Sequence, residues 1–322
     1  MSTQPQRRAL VIGATGGIGG ALADRLAAAG WAVRALHRDP DRARQATGRK
    51  GLDWVKGDAM VEADVVAAAR GAEIVVHAVN PPAYRNWAGL QMPMLANTIA
   101  AARAAGARIL FPGTVYNYGP DAFPTLTEAS PQTPATRKGA IRKQMEAALR
   151  ESGVPTLIVR AGDYFGAKAG NNWLSDGFIK PGRPVTAVTY PGPLTVAHAF
   201  AYLPDVAETF VRLLDTDLGD FEVFQMQGHE VTGHQLVEAL ETAVRRKLPV
   251  RRLPWFAIAA IAPFNETLRE MQEMRYLWDR RVVMSNAHLV AKLGAEPRTP
   301  LVDALRTALQ GLGCLPEAAK AA

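Results

Sequence analysis

The residues best placed to do chemistry stand near the start of the chain. Gly13, Gly16 and Gly19 recur every third residue in the run Gly13-Ala14-Thr15-Gly16-Gly17-Ile18-Gly19. Each glycine meets a separate need. One permits a tight strand-to-helix turn, one lets backbone approach a pyrophosphate, and one lets the helix pack closely on the sheet. A helix that opens there offers unpaired N–H groups and a positive dipole end to an anion. The context fits. Ala9 to Ile12 is apolar enough for a buried strand, and Gly17 to Ala29 reads as a helix ended by Gly30. A glycine triplet so placed is a dinucleotide-binding turn, with Gly13, Thr15, Gly16, Gly17, Ile18 and Gly19 around the phosphates.

The next strand, Ala32 to Leu36, leads into His37-Arg38-Asp39-Pro40. An acidic residue there would hold the 2′-hydroxyl of NAD, whereas an arginine accommodates the 2′-phosphate of NADP. Arg38 can make charge-assisted bonds to a phosphate, so NADP (NADPH) is expected, with His37 or Arg34 assisting. Asp39 is engaged as the N-cap ahead of Pro40.

The elements that must hold these residues alternate. Further strands are read at Leu52 to Val55, Glu73 to His77, Ala107 to Phe111 and Pro155 to Arg160. Helices are read at Glu62 to Arg70, Leu95 to Ala105 and Arg137 to Ser152. This is the pattern of an α/β Rossmann fold, a doubly wound parallel sheet covered on both faces. Residues 167–200 are rich in Gly, Pro and Asn, and helices follow at Pro204 to Leu214, Thr232 to Arg245, Pro263 to Leu277 and Pro300 to Leu309. The expected organisation is a cofactor-binding domain over 1–166, a return strand at 221–226, and a smaller C-terminal substrate lobe over 167–322.

More segments carry a family pattern: Gly57-Asp58, Phe111-Pro112-Gly113-Thr114-Val115-Tyr116, Arg160-Ala161-Gly162-Asp163-Tyr164-Phe165-Gly166, and Tyr202-Leu203-Pro204-Asp205-Val206-Ala207. With the glycine turn, they make the chain resemble the short-chain dehydrogenase/reductase superfamily in its extended and atypical branches. The resemblance implies that Asp58 and Ala59 lie at the adenine, and Ala78 and Val79 near the nicotinamide ribose. It also implies that Gly162 lies at the cofactor and that Thr114 hydrogen-bonds the substrate oxygen. Asp205 is expected only to cap its helix.

One departure bears on chemistry. The superfamily's Tyr-x-x-x-Lys pair is absent from Thr136-Arg137-Lys138-Gly139-Ala140-Ile141-Arg142-Lys143. Aligned on Glu146, Lys138 stands where tyrosine belongs and Arg142 where lysine belongs, or Lys143 if the register slips. The stretch resembles the NmrA-like and isoflavone-reductase-like branch, which implies NADPH dependence and a lysine at position 138 as cofactor contact and proton donor. Lys138, Ile141, Arg142 and Met145 share a helical face. A partly dry lysine beside a second cation loses affinity for its proton and can act as an acid. Tyr116 is a second acid candidate. His77 and His198 are read as structural.

Tyr84, Trp87, Met92, Met94, Tyr118, Tyr164, Phe165, Trp173, Tyr276 and Trp278 favour an apolar or aromatic small-molecule substrate, although each is individually more at home in a core. The leading function is an NADPH-dependent oxidoreductase that transfers hydride to a carbonyl or conjugated double bond. A non-catalytic NADP(H)-binding regulator is the alternative, and an NAD-dependent epimerase or dehydratase the third.

Composition limits the rest. The chain has 322 residues, 48% apolar and 21% charged, with net charge +7. The cations are scattered and no nucleic-acid-binding motif accompanies them, so an anion-attracting surface is expected and no nucleic-acid partner. Cys314 is the single cysteine, which leaves no thiol cluster for a metal and fits a reducing cytoplasm. No apolar run is long enough to span a bilayer, so no membrane partner is expected. Similar folds often form homodimers, but no decisive helical stripe marks such a surface here.

Overall fold

The structure, a computed structural model, describes residues 6–80, 87–168 and 172–316. Tyr84 and the alanine-rich tail from Ala318 lie outside the described residues. Short strands rich in Val, Ile and Leu form its centre. They are β1 (Arg8–Ile12), β2 (Ala32–His37), β3 (Asp53–Lys56), β4 (Ile74–His77), β5 (Arg108–Thr114), β7 (Thr156–Ala161) and β11 (Phe221–Gln225). They pair in the order β11-β7-β5-β4-β1-β2-β3, all parallel, with Ile12 level with both Leu36 and His77. The chain reverses direction across the sheet at β1 and β4, and ligands of such sheets bind at the carboxyl ends beside that switch point.

Alternation along β1 explains both covers. Ala9 and Val11 enter one core, against α1 (Gly17–Ala28) and α6 (Leu203–Leu214). Leu10 and Ile12 enter the other, against α3 (Glu62–Ala69), α4 (Trp87–Ala105) and α5 (Arg137–Glu151). α2 (Pro40–Thr47) starts at the expected cap, where the Asp39 side chain accepts from the Arg42 N–H. β5 outruns its expected end by three residues because Pro112, Gly113 and Thr114 stay in register with Val159, Arg160 and Ala161. α4 begins two turns before the expected Leu95 and carries Pro93 inside it. A proline that usually ends a helix hid those turns.

The remaining elements form a lobe over the carboxyl edge. β8 (Asp163–Phe165), β10 (Ala197–Tyr202) and β12 (His229–Thr232) make a small sheet. β6 (Thr125–Leu126) pairs with β14 (Val283–Met284), and β9 (Val188–Tyr190) with β13 (Val250–Arg252). α7 (Gly233–Val244) and α12 (Leu301–Gly311) close a third core that contains Phe165, Trp278 and Cys314. The single helix expected from Pro263 to Leu277 is instead a 3-10 turn, α9 (Glu266–Glu273) and α10 (Tyr276–Asp279), after the separate α8 (Trp255–Ile261). One cut at 166 does not divide the cores: besides β11, α6 and Leu289 of α11 (Ala287–Leu293) return to the sheet. Among the described residues no helix is long and apolar enough to cross a membrane.

Candidate functional site

The glycine turn is a cradle that side chains would fill. Gly13 has φ +97, and a Cβ there would stand 2.5 Å from the Ala78 carbonyl oxygen; a Cβ on Gly19 would stand 2.3 Å from the Gly13 oxygen. The turn thus presses β1, α1 and the end of β4 together as only glycine permits. The Gly16 N–H donates to the Gly13 oxygen at 2.9 Å, and Gly16 is the N-cap of α1 without any side-chain cap. No acidic residue lies in the first turn of α1. The N–H groups of the helix start therefore face the carboxyl edge uncapped, a fit for a pyrophosphate.

Past the carboxyl end of β2, Arg38 is exposed. His37 is held locally, its Nδ1 accepting the Asp39 N–H at 3.0 Å, with its ring edge-on to Trp54. Arg34 is not available as a helper. It pairs with Asp53 at 3.2 Å and donates to the Ala68 carbonyl, beside a cleft of about 390 Å³ at the amino edge of the sheet, opposite the glycine turn. Asp58 accepts the Met60 N–H at 3.0 Å, and Asn97 fixes the Ala59 carbonyl at 2.8 Å, so both are set at the end of β3. Sequence reading missed Arg49 and Lys168. Arg49 grips Asp24 with two bonds of 2.6 and 2.8 Å and donates to the Ala14 carbonyl; Lys168 donates to the Thr15 carbonyl. Burial and the Arg49 charge push the Lys168 ammonium below the usual lysine range. Both cations reach the turn from far along the chain.

At the carboxyl end of β4, Ala78 and Val79 leave the strand directly against Gly13. Thr114 ends β5, its hydroxyl accepting the Tyr116 N–H at 3.2 Å. Gly162 is packed against β10, where a Cβ would meet the Ala199 oxygen at 2.2 Å. Thr136 caps α5 by accepting the Gly139 N–H at 3.0 Å. Arg142 lies over the Phe111 and Trp87 rings at 5.3 and 5.5 Å and reaches the Pro112 carbonyl, while Lys143 is exposed. The α5 register therefore turns Arg142, not Lys143, to the end of β5. Beneath it, His77 is fully buried and held down to about 3 by burial and by Arg142. Its Nδ1 lies 2.7 Å from Thr98 Oγ1, whose own proton goes to the Met94 carbonyl, so Nδ1 donates and the ring is neutral.

Lys138 has a partner that sequence reading did not foresee. Its Nζ lies 3.4 Å from the Glu270 carboxylate, and both side chains are buried. Arg137 joins Glu270 at 2.9 Å and Glu273 at 3.0 Å. Burial lowers the Lys138 proton affinity, opposed by Glu270; the neighbouring cation that also lowers it is Arg137, not the expected Arg142. The reach from α5 to α9 spans more than a hundred residues, and nothing local signals it.

Tyr116, Asp163 and His198 meet beside this pair. The Tyr116 hydroxyl donates to Asp163 Oδ1 at 3.0 Å, and His198 Nε2 lies 2.7 Å from Asp163 Oδ2. Asp205 does not cap its own helix: its carboxylate accepts from the Thr299 N–H and hydroxyl at 2.8 and 2.7 Å, pinning the segment before α12. Most aromatics proposed for a pocket are core. Tyr118 is fully buried between Arg160 and Gln225, Arg160 is paired with Glu146 at 2.5 Å, and Trp278 stacks on His198. Among the described residues no group of three or more His, Cys, Asp or Glu is placed to hold a metal ion.

Comparison with known proteins agrees with this geometry. Residues 13–177 match the family described as NAD(P)H-binding. The chain belongs to that family, and the cofactor is a nicotinamide dinucleotide. A 3-diazoavenalumate denitrifying reductase from a Streptomyces species is 34% identical over 179 residues, 51% of this chain and 58% of that protein. The match thus spans little more than half the length of the relative. Among solved structures, a protein from Burkholderia cenocepacia superposes with TM-score 0.74 at 21% identity, over 97% of this chain and 100% of that one. The UDP-glucose 4-epimerase of Bifidobacterium longum, in complex with NAD+ and UDP, gives 0.71 at 17%, over 96% and 100%. At such identities these neighbours speak for the fold alone, a Rossmann fold with a parallel central sheet.

Proposed function

We propose that this chain is an NADPH-dependent reductase that delivers hydride to a small apolar or aromatic acceptor, a carbonyl or a conjugated double bond. The observation that carries the reading is the glycine cradle, where Gly13 is pressed on Ala78 and the α1 N-terminus is uncapped. Arg38 favours the 2′-phosphate of NADPH, because its exposed guanidinium stands where the ribose of such folds lies. When bound, the reduced cofactor supplies the hydride. The Gly13 to Gly19 turn, Thr15 and Ile18 hold its phosphates, and Ala78 and Val79 border its nicotinamide ribose. Thr114 orients the acceptor oxygen, and Tyr116 exchanges the proton with it. Lys138 is the weaker candidate for that proton, since its ammonium is tied to Glu270 in a buried pair. The reductase from Streptomyces supports reduction over epimerisation and adds aryl diazo compounds to the acceptors worth testing.

The test is NADPH consumption against aldehydes, ketones, enones and an aryl diazonium salt. Turnover in the parent and its loss in Tyr116→Phe support the reading. The Lys138–Glu270 pair favours a second reading, a cofactor-binding regulator without turnover. Tight NADPH binding with no consumption across the panel would select it.

A further inference from the structure

Behind Tyr116 lies a wired set of buried groups that the superfamily pattern does not call for. The Tyr116 hydroxyl donates to Asp163 Oδ1 at 3.0 Å, Asp163 Oδ2 lies 2.7 Å from His198 Nε2, and His198 Nδ1 lies 3.2 Å from the Leu277 carbonyl. Asp163 and His198 are 5% and 3% exposed. The His198 ring stacks on Trp278, 3.8 Å between centroids and 3° from parallel, with Phe200 at 4.8 Å. Tyr276 is the other titratable group facing Asp163, whose charge adds to burial in pushing that phenol up. A carbonyl oxygen only accepts, so Nδ1 carries a proton; Nε2 and Oδ2, so close together, share another. The two carboxyl oxygens therefore differ. Oδ2 is fastened to the lobe, and Oδ1 faces Tyr116, which is half-buried.

We propose that Asp163 is the proton-exchanging partner of Tyr116 and that His198 is a positioning residue holding Asp163, so that the three replace the absent tyrosine–lysine pair. This rests on the reading of Tyr116 as the proton-transferring group. In reduction the acceptor carbon receives the hydride and its oxygen takes the Tyr116 proton. For reduction Asp163 first takes up a solvent proton on Oδ1, which turns the bond to Tyr116 around; that proton refills Tyr116 Oη as Tyr116's own passes to the acceptor, and the carboxyl ends ionised. In oxidation each transfer reverses: the alcohol proton passes to Oη as the Tyr116 proton passes to Oδ1. One proton and one hydride are exchanged per alcohol, and His198 keeps its N–H bond to Oδ2 throughout. The geometry suits this division, because a carboxyl held through one oxygen presents the other in a fixed direction.

The test uses the full chain loaded with NADPH and the carbonyl acceptor of the panel that turns over fastest. Asp163→Asn, Tyr116→Phe, their double variant and His198→Gln are compared. Asp163→Asn is expected to lower kcat at least tenfold while NADPH affinity stays within twofold, and the double variant to be no slower than Tyr116→Phe. Losses that multiply in the double variant would overturn the proposal. A second readout needs no turnover: the hydrogen-bonded imidazole proton of His198, assigned by NMR through its loss in His198→Gln. It is expected to shift in Tyr116→Phe, which removes one oxygen and keeps the ring, because both groups share one carboxylate. An unmoved resonance overturns the relay. If the parent consumes no NADPH with any acceptor, the reductase reading fails, and the resonance still decides whether the network is coupled.

Discussion

The two ends of the cofactor cleft are built by opposite means. At the glycine turn the seat itself is local, although Ala78, Arg49 and Lys168 pack on it from elsewhere. Seven consecutive residues, one positive φ and one uncapped helix start create the seat, and the Gly13 and Ala78 backbones that meet there follow the adjacent strands β1 and β4. At the proton-transfer corner nothing is local. Tyr116 finds Asp163 forty-seven residues on, Asp163 finds His198 thirty-five further, and Lys138 is answered from α9. The first end is backbone shape, which tolerates almost no change. The second is a network of side chains with partners drawn from the lobe, proposed here to stand in for the usual pair. Cofactor binding and chemistry are therefore separable in this chain, and variants should divide along that line.

The largest effect is expected at the turn. Gly19→Val drives a side chain into the Gly13 carbonyl and should abolish NADPH binding, read by fluorescence titration. Retained binding would mean that the local end is more forgiving than its geometry allows. Next comes the buried pair. Lys138→Met leaves Glu270 with Arg137 alone, and should destabilise the fold by about 1–3 kcal/mol in denaturant unfolding, whereas Lys138→Met with Glu270→Met should recover part of that loss. Equal stability of the two would remove Lys138–Glu270 as a strut between lobe and sheet.

Tyr116→Phe should lower kcat about a hundredfold and leave NADPH affinity unchanged, a loss typical of one acid–base group. If affinity falls instead, the two ends are not separable. His77 gives the pH dependence. Its folded value, about 3, lies below its ordinary 6.5. The unfolded chain therefore binds the extra proton, so stability present above pH 6.5 is lost as pH falls towards 3. About 2 kcal/mol of stability should be gone by pH 5 from this group, and His77→Leu should flatten that slope in thermal melts at each pH. The smallest effect is Arg38→Ser, expected to reduce the preference for NADPH over NADH about tenfold, the worth of one charge-assisted bond. An unchanged preference would shift that role to Arg49 or Lys168.

Legibility in the sequence followed the same division. The parallel sheet, the cofactor turn and the cap at Asp39 were readable because each is written in adjacent residues through apolar runs, glycine spacing and an Asp-Pro step. The start of α4 was not, because Pro93 reads as a stop, nor was the break between α9 and α10. Lys138, Tyr116 and Thr114 were nameable from the pattern around them, but their partners were not. Asp163 stood inside a recognisable segment with nothing to say that it would accept from Tyr116. His198 had no ligand-like spacing and read as structural. Its role follows from a parallel pairing of β8 with β10 that brings Phe200 level with Asp163 and His198 within reach. Glu270 lay in a stretch read as one continuous helix, which would have pointed it elsewhere.

A conventional cofactor seat serving a reduction whose proton passes through Tyr116 is the reading proposed for this chain. Its most direct test is single-turnover oxidation of bound NADPH, followed by fluorescence after mixing with the acceptor panel, in the parent, Tyr116→Phe and Lys138→Met. The account predicts rapid oxidation in the parent with at least one acceptor, a loss of about a hundredfold in Tyr116→Phe, and a far smaller loss in Lys138→Met among folded molecules. Unimpaired oxidation in Tyr116→Phe, with the loss in Lys138→Met instead, would contradict it.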